Sequence, residues 1–429
     1  MTVTVVGGGI AGLAAAWELV CAGREVRVLE AGDRFGGKIK TSAFAGRPVD
    51  EGADAFLARV PAGAALAREV GLGDELVSPA TGQASLWIGA RLKPIPTGHV
   101  LGVPVDLQAV AKAGILSAFG LARAAVEPLL PGRALGADED VAVGELITRR
   151  FGSEVQQLLV DPLLGGINAG RSDELSIEIG AAQLAAAARK DRSLGRGLRA
   201  LRAATPVDPN APVFYAPTGG MQRLVDALVE GLRAKGATLS TRSAVEPGSL
   251  DGDVVLATPA YDAARLIEPL SARAADALFA FEYASVALVT LQYSCDDLRA
   301  PLTGSGFLVP RREGRFLTAG SVFTNKWPAL AGGGDGDGDV IVRASAGRFG
   351  DDRAMQLDDD ALVATASGEV RVALGIGGEA LGARVSRWPA AFPQFRPGHL
   401  RRVEALEAAL GITATAPLSS MAWRRRSLS

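Results

Sequence analysis

The stretch Thr2-Val3-Thr4-Val5-Val6-Gly7-Gly8-Gly9-Ile10-Ala11-Gly12 near the amino terminus decides the fold that the sequence predicts. Its first five residues are β-branched and uncharged, which favours a parallel strand buried on both faces. Gly7, Gly9 and Gly12 then have the spacing G-x-G-x-x-G. This spacing lets the backbone turn tightly, approach a pyrophosphate and pack the next helix against the strand. The sequence therefore predicts a Rossmann-like dinucleotide-binding unit.

The following residues complete that unit. Apolar residues recur at helical spacing over residues 10–22, and Gly23 is placed to end the helix. Residues 26–29 predict a second strand, and Glu30 follows it, 18 residues after Gly12. A carboxylate at this place accepts hydrogen bonds from both hydroxyls of an unphosphorylated ribose. Because strand, turn, helix, strand and acid are all in register, ligand binding is favoured over a purely structural βαβ unit.

A second glycine pair, Gly36-Gly37, and the basic Lys38 come soon after the acid. This segment resembles the extension found in FAD-dependent amine oxidases, phytoene desaturases and protoporphyrinogen oxidases, where it supports the flavin's phosphates and ribityl chain. Those families usually have arginine where this chain has Lys38. Residues 49–56 resemble their next segment, whose backbone passes the flavin ring. The resemblance implies FAD as cofactor and these binding residues: Gly7, Gly8, Gly9, Ile10, Ala11, Gly12, Glu30, Ala31, Gly37, Lys38, Gly52, Ala53, Asp54 and Ala55.

Composition excludes several other classes of protein. The chain has 429 residues, 48% of them hydrophobic, which is enough for two or three domains with cores of their own. A formal charge of −2 provides no basic field, so nucleic acid is not an expected partner. Cys21 and Cys295 are too few for a disulfide framework, and both are expected in the core. With two histidines and no H-E-x-x-H or G-x-S-x-G motif, neither a metal site nor a serine hydrolase is indicated.

The amino terminus lacks the basic region of a signal peptide and opens directly into the glycine turn, so a cytoplasmic protein is expected. The most membrane-like stretch, residues 109–130, is interrupted by Lys112, Arg123, Glu127 and Pro128, so it cannot span a bilayer as an apolar helix. Two interpretations remain open for it. It lies on the inner face of the cell membrane as a peripheral contact, or it forms an amphipathic wall around a substrate pocket.

The rest of the chain predicts a discontinuous α/β fold. Residues 61–70 and 222–234 favour helices, and residues 86–96 favour a hairpin. Strands at residues 237–243 and 253–259 return the chain to the dinucleotide-binding sheet. Residues 105–203 favour helices interrupted by a glycine-containing loop at 161–170, residues 283–345 favour strands, and residues 357–374 favour a helix. The glycine–aspartate run 332–339 is expected to be a solvated loop rather than a calcium site.

The central and late segments resemble the oxygen-dependent protoporphyrinogen and coproporphyrinogen III oxidase family, flavoenzymes of haem biosynthesis. The motifs are Gly165 to Gly170, Tyr283-Ala284-Ser285-Val286, Gly304 to Pro310, Lys326-Trp327-Pro328 and Arg387 to His399. The resemblance implies a p-hydroxybenzoate-hydroxylase-like architecture with a Rossmann-like FAD-binding domain, a substrate domain with a mixed sheet, and a helical insertion. The expected boundaries are 1–90 and 211–262 for the FAD-binding domain, 91–210 for the insertion, 263–385 for the substrate sheet, and 386–429 for a remnant of the FAD-binding domain and a tail.

That resemblance also implies the reaction and its residues. A porphyrinogen would be oxidised in three two-electron steps, with FAD passing the electrons to O2 and giving H2O2. Val245 would contact the adenine end of FAD, and Trp388 would lie near the flavin. Gly166 and Asn168 would lie against the macrocycle at the catalytic site. Taken without the resemblance, Trp388 is equally typical of a core aromatic and Asn168 of a capping side chain.

Several alternatives stay open at this point. The sequence does not choose between coproporphyrinogen III and protoporphyrinogen IX, and it leaves the oligomeric state open. Gln83 stands where many relatives have an arginine for a substrate propionate, so Arg91, Lys93 or Arg171 would have to replace it. Residues 411–429 do not match the family's last flavin-binding segment, which predicts an atypical or truncated carboxyl terminus. Another FAD-dependent amine oxidase or desaturase, or an inactive relative, are the alternative functions.

Overall fold

The computed structural model describes residues 2–204, 211–328 and 338–410. Its strands, in chain order, are β1 Val3–Val6, β2 Val26–Leu29, β3 Thr41–Phe44, β4 Arg47–Asp50, β5 Phe56–Leu57, β6 Leu76–Val77, β7 Ala84–Ile88, β8 Arg91–Pro94, β9 His99–Val100, β10 Val103–Pro104, β11 Phe214–Pro217, β12 Thr238–Ser240, β13 Asp253–Leu256, β14 Tyr283–Ser294, β15 Gly306–Leu308, β16 Leu317–Val322, β17 Asp339–Ala346 and β18 Gly382–Pro393.

The helices alternate with these strands and are concentrated between β10 and β11. They are α1 Ile10–Cys21, α2 Pro61–Glu69, α3 Leu107–Ala113, α4 Ala118–Ala125, α5 Val143–Phe151, α6 Ser153–Val155, α7 Asp161–Asn168, α8 Ile177–Gly180, α9 Ala182–Lys190, α10 Leu194–Ala204, α11 Gln222–Ala234, α12 Ala260–Ile267, α13 Ala272–Phe279, α14 Phe323–Lys326, α15 Arg353–Gln356, α16 Asp359–Leu374 and α17 His399–Ala409.

A parallel sheet of order β12-β2-β1-β13 confirms the predicted return of the chain to its first strands. Val3 pairs with Val26 on one side and with Asp253 on the other. Helices α1 and α11 cover this sheet and bury Leu13, Trp17 and Leu228 in its core. The strand expected over residues 237–243 is limited to β12, because the chain leaves the sheet after Ser240 to bond with the loop that contains Glu30.

The second sheet is mixed, as predicted, with the order β18-β14-β17-β16-β15-β7-β8. Strands β15 and β7 are parallel, and the other neighbours are antiparallel. Because β7 and β18 both belong to this sheet, two expected domain boundaries are wrong. Residues 84–88 leave the FAD-binding domain before the boundary at 90, and residues 386–393 continue the substrate sheet instead of returning to the FAD-binding domain.

The helical insertion has a core of its own, to which α3, α5, α9 and α10 contribute. The loop expected over residues 161–170 is wrong, because residues 161–168 form α7. Pro162 occupies its first turn and Leu164 is 1% exposed, so burial against the insertion holds a helix that its glycines alone would not favour. Ala169, with φ of 46°, ends it.

Both cysteines were expected in the core, and this is also wrong, since Cys21 and Cys295 are exposed. Leu13, Ala16 and Trp17 form the buried face of α1, whereas Cys21 is the last residue of the helix and lies beyond this buried part. Within residues 2–204, 211–328 and 338–410, no helix is long and apolar enough to cross a membrane, and no metal-binding group of acidic, histidine and cysteine residues occurs. The expectations for residues 332–337 and 411–429 lie outside the described residues.

Candidate functional site

The three spaced glycines in the turn between β1 and α1 have different surroundings. At Gly7, whose φ is 106°, a Cβ would lie 2.7 Å from the carbonyl oxygen of Ala257. At Gly12 a Cβ would lie 1.9 Å from the carbonyl oxygen of Gly7, so only glycine lets α1 approach the turn. At Gly9 a Cβ would meet nothing nearer than the Cα of Gly37 at 3.9 Å. The space beside Gly9 is therefore open, and no side chain caps α1 there.

Glu30 lies at the mouth of this turn. Its carboxylate accepts hydrogen bonds from the backbone N–H groups of Gly8 and Gly32, both at 2.7 Å. The N–H of Ser243 donates to the Glu30 carbonyl oxygen, which brings the segment before Val245 beside the acid and Ala31. The structure thus brings Glu30 to the place that the sequence predicts for it, while the ribose and adenine contacts of Glu30 and Val245 stay predictions.

The second glycine pair packs directly against the first turn. The N–H of Gly36 donates to the carbonyl oxygen of Gly8 at 2.8 Å, and a Cβ on Gly37 would lie 3.1 Å from the Cα of Gly9. Arg34 holds this loop by donating to the carbonyl oxygens of Gly37 at 2.6 Å and Ile39 at 2.8 Å. Sequence analysis missed Arg34, although an arginine just before a glycine pair is a signal that could have indicated a loop clamp.

A cavity of about 580 Å³, called the central cavity below, lies where the two sheets and α7 meet. Residues 52–55 and Lys38 line it from the FAD-binding domain, residues 165–167 from α7, and Trp388 from β18. At Gly52 a Cβ would lie 2.5 Å from the Lys38 carbonyl oxygen and 3.3 Å from the Trp388 ring. The indole N–H of Trp388 donates to the Glu51 carbonyl oxygen at 2.7 Å, which fixes the ring beside this backbone.

Charged side chains in the central cavity are tied to one another across the two domains. Asp54 accepts hydrogen bonds from Lys326 Nζ at 2.8 Å and Trp327 Nε1 at 3.3 Å, and it ion-pairs with Arg343 at 3.1 Å. Burial by itself raises the pKa of Asp54, but the two cations outweigh it and hold the pKa below its usual value. Burial lowers the pKa of Lys38, whose Nζ donates to the Ala391 carbonyl oxygen at 2.5 Å.

The two residues predicted to be catalytic lie in different places. Gly166 lines the central cavity, where an added Cβ would reach Leu308 at 3.5 Å. Asn168 instead donates from Nδ2 to the Leu164 carbonyl oxygen at 2.9 Å and borders a small separate cavity. The geometry therefore gives Asn168 a helix-capping contact and no place on the central cavity wall. The role of Gly166 stays a prediction.

The basic residues expected to replace the arginine at Gln83 do not line the central cavity within the described parts of the chain. Lys93 donates to the Gly114 carbonyl oxygen, and Arg171 pairs with Asp173. Arg91 is exposed. The cations that do line the central cavity are Lys38, Lys326, Arg343 and Arg348, and sequence analysis missed the last two.

A model of the family described as flavin containing amine oxidoreductase matches residues 10–412. The chain belongs to this flavin-dependent family. It is 31% identical to a coproporphyrinogen III oxidase of Bacillus subtilis over 435 residues, which cover 95% of this chain and 90% of the relative. It is 34% identical to a coproporphyrinogen III oxidase of Mycobacterium bovis, again covering 95% of this chain and 90% of the relative.

A crystal structure from Exiguobacterium sp. 255-15, assigned as a protoporphyrinogen oxidase, superposes with a TM-score of 0.83 at 28% identity and covers 95% of this chain and 91% of that one. These similarities confirm the resemblance that the sequence motifs indicate. They also confirm the α/β flavoenzyme fold and FAD as the cofactor of this family member.

The residues of the glycine turn fit this cofactor. The open space at Gly9 leaves room for a pyrophosphate against uncapped amides at the start of α1, where a helix N-terminus favours negative charge. Glu30 lies beside this turn, where it accepts a hydrogen bond from the N–H of Gly8, and residues 52–55 line the central cavity. The residues of the glycine turn thus fit the nucleotide end of the cofactor, and the central cavity lies beside residues 52–55.

Proposed function

We propose that this protein is an FAD-dependent porphyrinogen oxidase of haem biosynthesis. It oxidises coproporphyrinogen III to coproporphyrin III, or protoporphyrinogen IX to protoporphyrin IX, with O2 as electron acceptor and H2O2 as product. The similarity to coproporphyrinogen III oxidases over 95% of the chain supports this activity. Those two relatives favour coproporphyrinogen III as the substrate.

The observation that carries the proposal is the central cavity. Its volume of about 580 Å³ lies in the range of cavities that hold molecules of the size of a cofactor or drug. Two neighbouring glycines of α7, Gly165 and Gly166, line it and leave that part of the wall without side chains, which gives room for a broad substrate. Cationic side chains outnumber carboxylates among the described residues of the wall, which suits a substrate with several carboxylates.

FAD supplies the redox chemistry of such a reaction by accepting hydride from the substrate. The chain's own residues then bind and orient. Lys326 and Arg343 hold Asp54 and thereby fix residues 52–55 against the substrate sheet, while Trp388 and Phe392 supply apolar wall. This division of labour requires no protein nucleophile and no metal.

The test is an assay of the purified, FAD-loaded protein with coproporphyrinogen III and, separately, with protoporphyrinogen IX. Porphyrin fluorescence is expected to rise faster than autoxidation, with three molecules of H2O2 formed for each porphyrin. A primary amine in place of the porphyrinogen is expected to give no H2O2. Fluorescence that does not exceed autoxidation with either porphyrinogen contradicts the proposal, and H2O2 formed from the amine would favour an amine oxidase.

We further propose that the protein works in the cytoplasm and that the region from α4 to residue 129 contacts the inner face of the cell membrane. Phe119 and Leu129 are 79% and 80% exposed, and Lys112 is exposed on the preceding helix. Apolar side chains beside a cation suit an anionic lipid surface.

The double variant Phe119→Ser/Leu129→Ser is expected to co-sediment less with anionic lipid vesicles than the wild type. The control is Leu270→Ser, since Leu270 lies outside this region and is 66% exposed, and this variant is expected to bind the vesicles like the wild type. An equal loss of vesicle binding in both variants contradicts the proposed membrane contact.

A further inference from the structure

Arg348 lies in the turn after β17, and it lines the central cavity while being only 9% exposed. The turn is fixed on both sides. Gly347 has a φ of 88°, and an added Cβ would lie 2.7 Å from the Ser285 carbonyl oxygen of β14. The N–H of Phe349 donates to the Ala169 carbonyl oxygen at the end of α7, at 2.7 Å. The arginine is therefore held on the α7 side of the cavity by a backbone with little room to move.

The guanidinium of Arg348 has no hydrogen bond or ion pair within residues 2–204, 211–328 and 338–410. The neighbouring carboxylates are already engaged. Asp351 accepts from Nε and Nη2 of Arg353, both at 2.8 Å. Asp161 accepts from the N–H of Ser172 at 2.9 Å and from its hydroxyl at 2.8 Å. Burial lowers the pKa of Arg348, and the nearby positive charge of Arg311 lowers it further.

The other cations of the central cavity all have partners. Lys326 and Arg343 share Asp54, and Lys38 donates to the Ala391 carbonyl oxygen. A second arginine adds to the positive field near Arg348. Arg311 donates from Nη2 to the Gly170 carbonyl oxygen at 3.0 Å, and its Nε lies 4.0 Å from Asp161 without a hydrogen bond. The positive charge at this end of the cavity thus exceeds the carboxylate available to balance it.

A buried, unpaired guanidinium lowers the stability of a folded protein, because the charge has lost its water without gaining a partner. The presence of such an unpaired guanidinium is explained if a bound ligand supplies the anion that pairs with it. A planar guanidinium matches the two oxygens of a carboxylate, with two parallel hydrogen bonds. We infer that Arg348 binds a propionate carboxylate of the porphyrinogen and so orients the macrocycle in the central cavity. This inference rests on the proposed porphyrinogen oxidase function.

Binding of the porphyrin product tests it without relying on turnover. The FAD-loaded protein is titrated with coproporphyrin III, and binding is followed by porphyrin fluorescence. Arg348→Gln is expected to bind about 10- to 100-fold more weakly than the wild type, since a hydrogen-bonded charge pair is lost. Arg348→Lys keeps the positive charge but cannot form two parallel hydrogen bonds to a carboxylate. Its affinity for coproporphyrin III is expected to lie between those of the wild type and Arg348→Gln. The tetramethyl ester of the same porphyrin, which has no carboxylate, is expected to bind to wild type and Arg348→Gln alike.

Two controls separate binding from folding and from net charge. Arg265→Gln removes one positive charge from an arginine on α12 whose side chain is 66% exposed, and it is expected to bind coproporphyrin III as the wild type does. Thermal unfolding of the ligand-free protein is expected to occur at the same or a higher temperature in Arg348→Gln. If Arg348 had a purely structural role, Arg348→Gln would unfold at a lower temperature than the wild type.

The outcomes distinguish this inference from the function on which it rests. Equal binding of coproporphyrin III by wild type and Arg348→Gln overturns the inference and leaves the proposed function intact. Equal loss for the acid and the ester, together with a lower unfolding temperature, assigns Arg348 a structural role and also overturns it. A wild type that neither binds coproporphyrin III nor oxidises coproporphyrinogen III overturns the proposed function, and the inference with it.

Discussion

Asp50 is fully buried, and only one of its two carboxylate oxygens has a partner among the described residues. Oδ1 accepts hydrogen bonds from Thr41 Oγ1 at 2.5 Å and from the N–H of Met221 at 3.0 Å, whereas Oδ2 has none. Burial raises the pKa of Asp50 to about 6, against the smaller opposing effects of these hydrogen bonds and of Arg343. The folded protein therefore keeps this carboxylic acid protonated to a higher pH than the unfolded chain does.

The raised pKa predicts a stability that depends on pH. Below about pH 4 the group is protonated in both states, and the stabilisation is fully present. As the pH rises through about 6, the folded protein retains a proton that the unfolded chain has lost, so the free energy of unfolding falls. Asp50→Asn is expected to remove this fall, which is up to about 3 kcal/mol for a shift of two pKa units.

Urea unfolding at about pH 4 and about pH 7.5 measures this fall in the free energy of unfolding. The exposed Asp276→Asn is the control, and a difference between wild type and Asp50→Asn that does not vary with pH would refute the expectation.

Gly9 offers a substitution that should separate folding from cofactor binding. An added Cβ meets only the Cα of Gly37 at 3.9 Å, so Gly9→Ala is expected to fold. The methyl group would stand in the open space beside α1 and weaken FAD binding about 10- to 100-fold, measured by flavin fluorescence titration. Gly368→Ala, on α16 with nothing within 4 Å of the added Cβ, should bind FAD normally and be slightly more stable. Unchanged FAD affinity in Gly9→Ala would argue against pyrophosphate at this turn.

Sequence analysis could place residues that belong to a motif with fixed spacing. Glu30 follows a strand whose register its neighbours determine, so its position beside Gly8 was predictable. Arg348 was not, because a pattern of letters does not reveal which of 45 basic residues is buried without a counter-ion. The same holds for Asn168, whose amide binds its own helix only because α7 exists.

At the scale of elements, a buried ion pair ties α5 to α10 and to the segment after α4. Arg150 and Glu127 have side chains that are 5% and 1% exposed and pair at 3.0 Å. Glu127 also accepts from the hydroxyl of Ser193 at 2.7 Å and from the N–H of Leu194 at 2.9 Å. Three separate parts of the helical insertion therefore meet at one carboxylate.

Removal of that carboxylate should be costly. Glu127→Ala leaves Arg150 buried without its counter-ion and is expected to lower the free energy of unfolding by about 3–5 kcal/mol, measured by urea unfolding. The double variant Glu127→Leu/Arg150→Met, which removes both charges, should recover most of the loss. Glu139→Ala breaks the pair with Arg133, whose side chain is 73% exposed, and should change stability far less than Glu127→Ala does. A Glu127→Ala variant as stable as Glu139→Ala would refute the assigned role.

Helix α7 shows why an element can be misread from its residues. Gly165 and Gly166 each disfavour a helix by about 1 kcal/mol, and they indicated a loop. Burial of Leu164 and Val160 against the insertion outweighs this, because tertiary packing decides helices of marginal propensity. The acidic Asp161 and Pro162 in the first turn were the local signal for a helix start.

For the whole molecule, cofactor binding should stabilise two distant parts of the chain together, since the FAD-binding sheet combines β1 and β2 with β12 and β13. FAD at 100 times its dissociation constant is expected to add about 2.7 kcal/mol to the free energy of unfolding. Thermal unfolding of the FAD-depleted protein at a series of FAD concentrations should show a rising midpoint, and Gly9→Ala should need higher concentrations for the same rise. A midpoint that does not respond to FAD would contradict FAD binding to the folded chain.

The order β12-β2-β1-β13 also has a consequence during translation. Thr238 is added to the nascent chain more than 200 residues after Leu29, which at 5–20 residues per second is a delay of about 10–40 s. For most of this interval β1 and β2 have left the ribosome while β12 and β13 have not yet been synthesised. Unpaired apolar strand edges promote aggregation, so the nascent polypeptide is prone to aggregate at these edges until β12 and β13 have been synthesised.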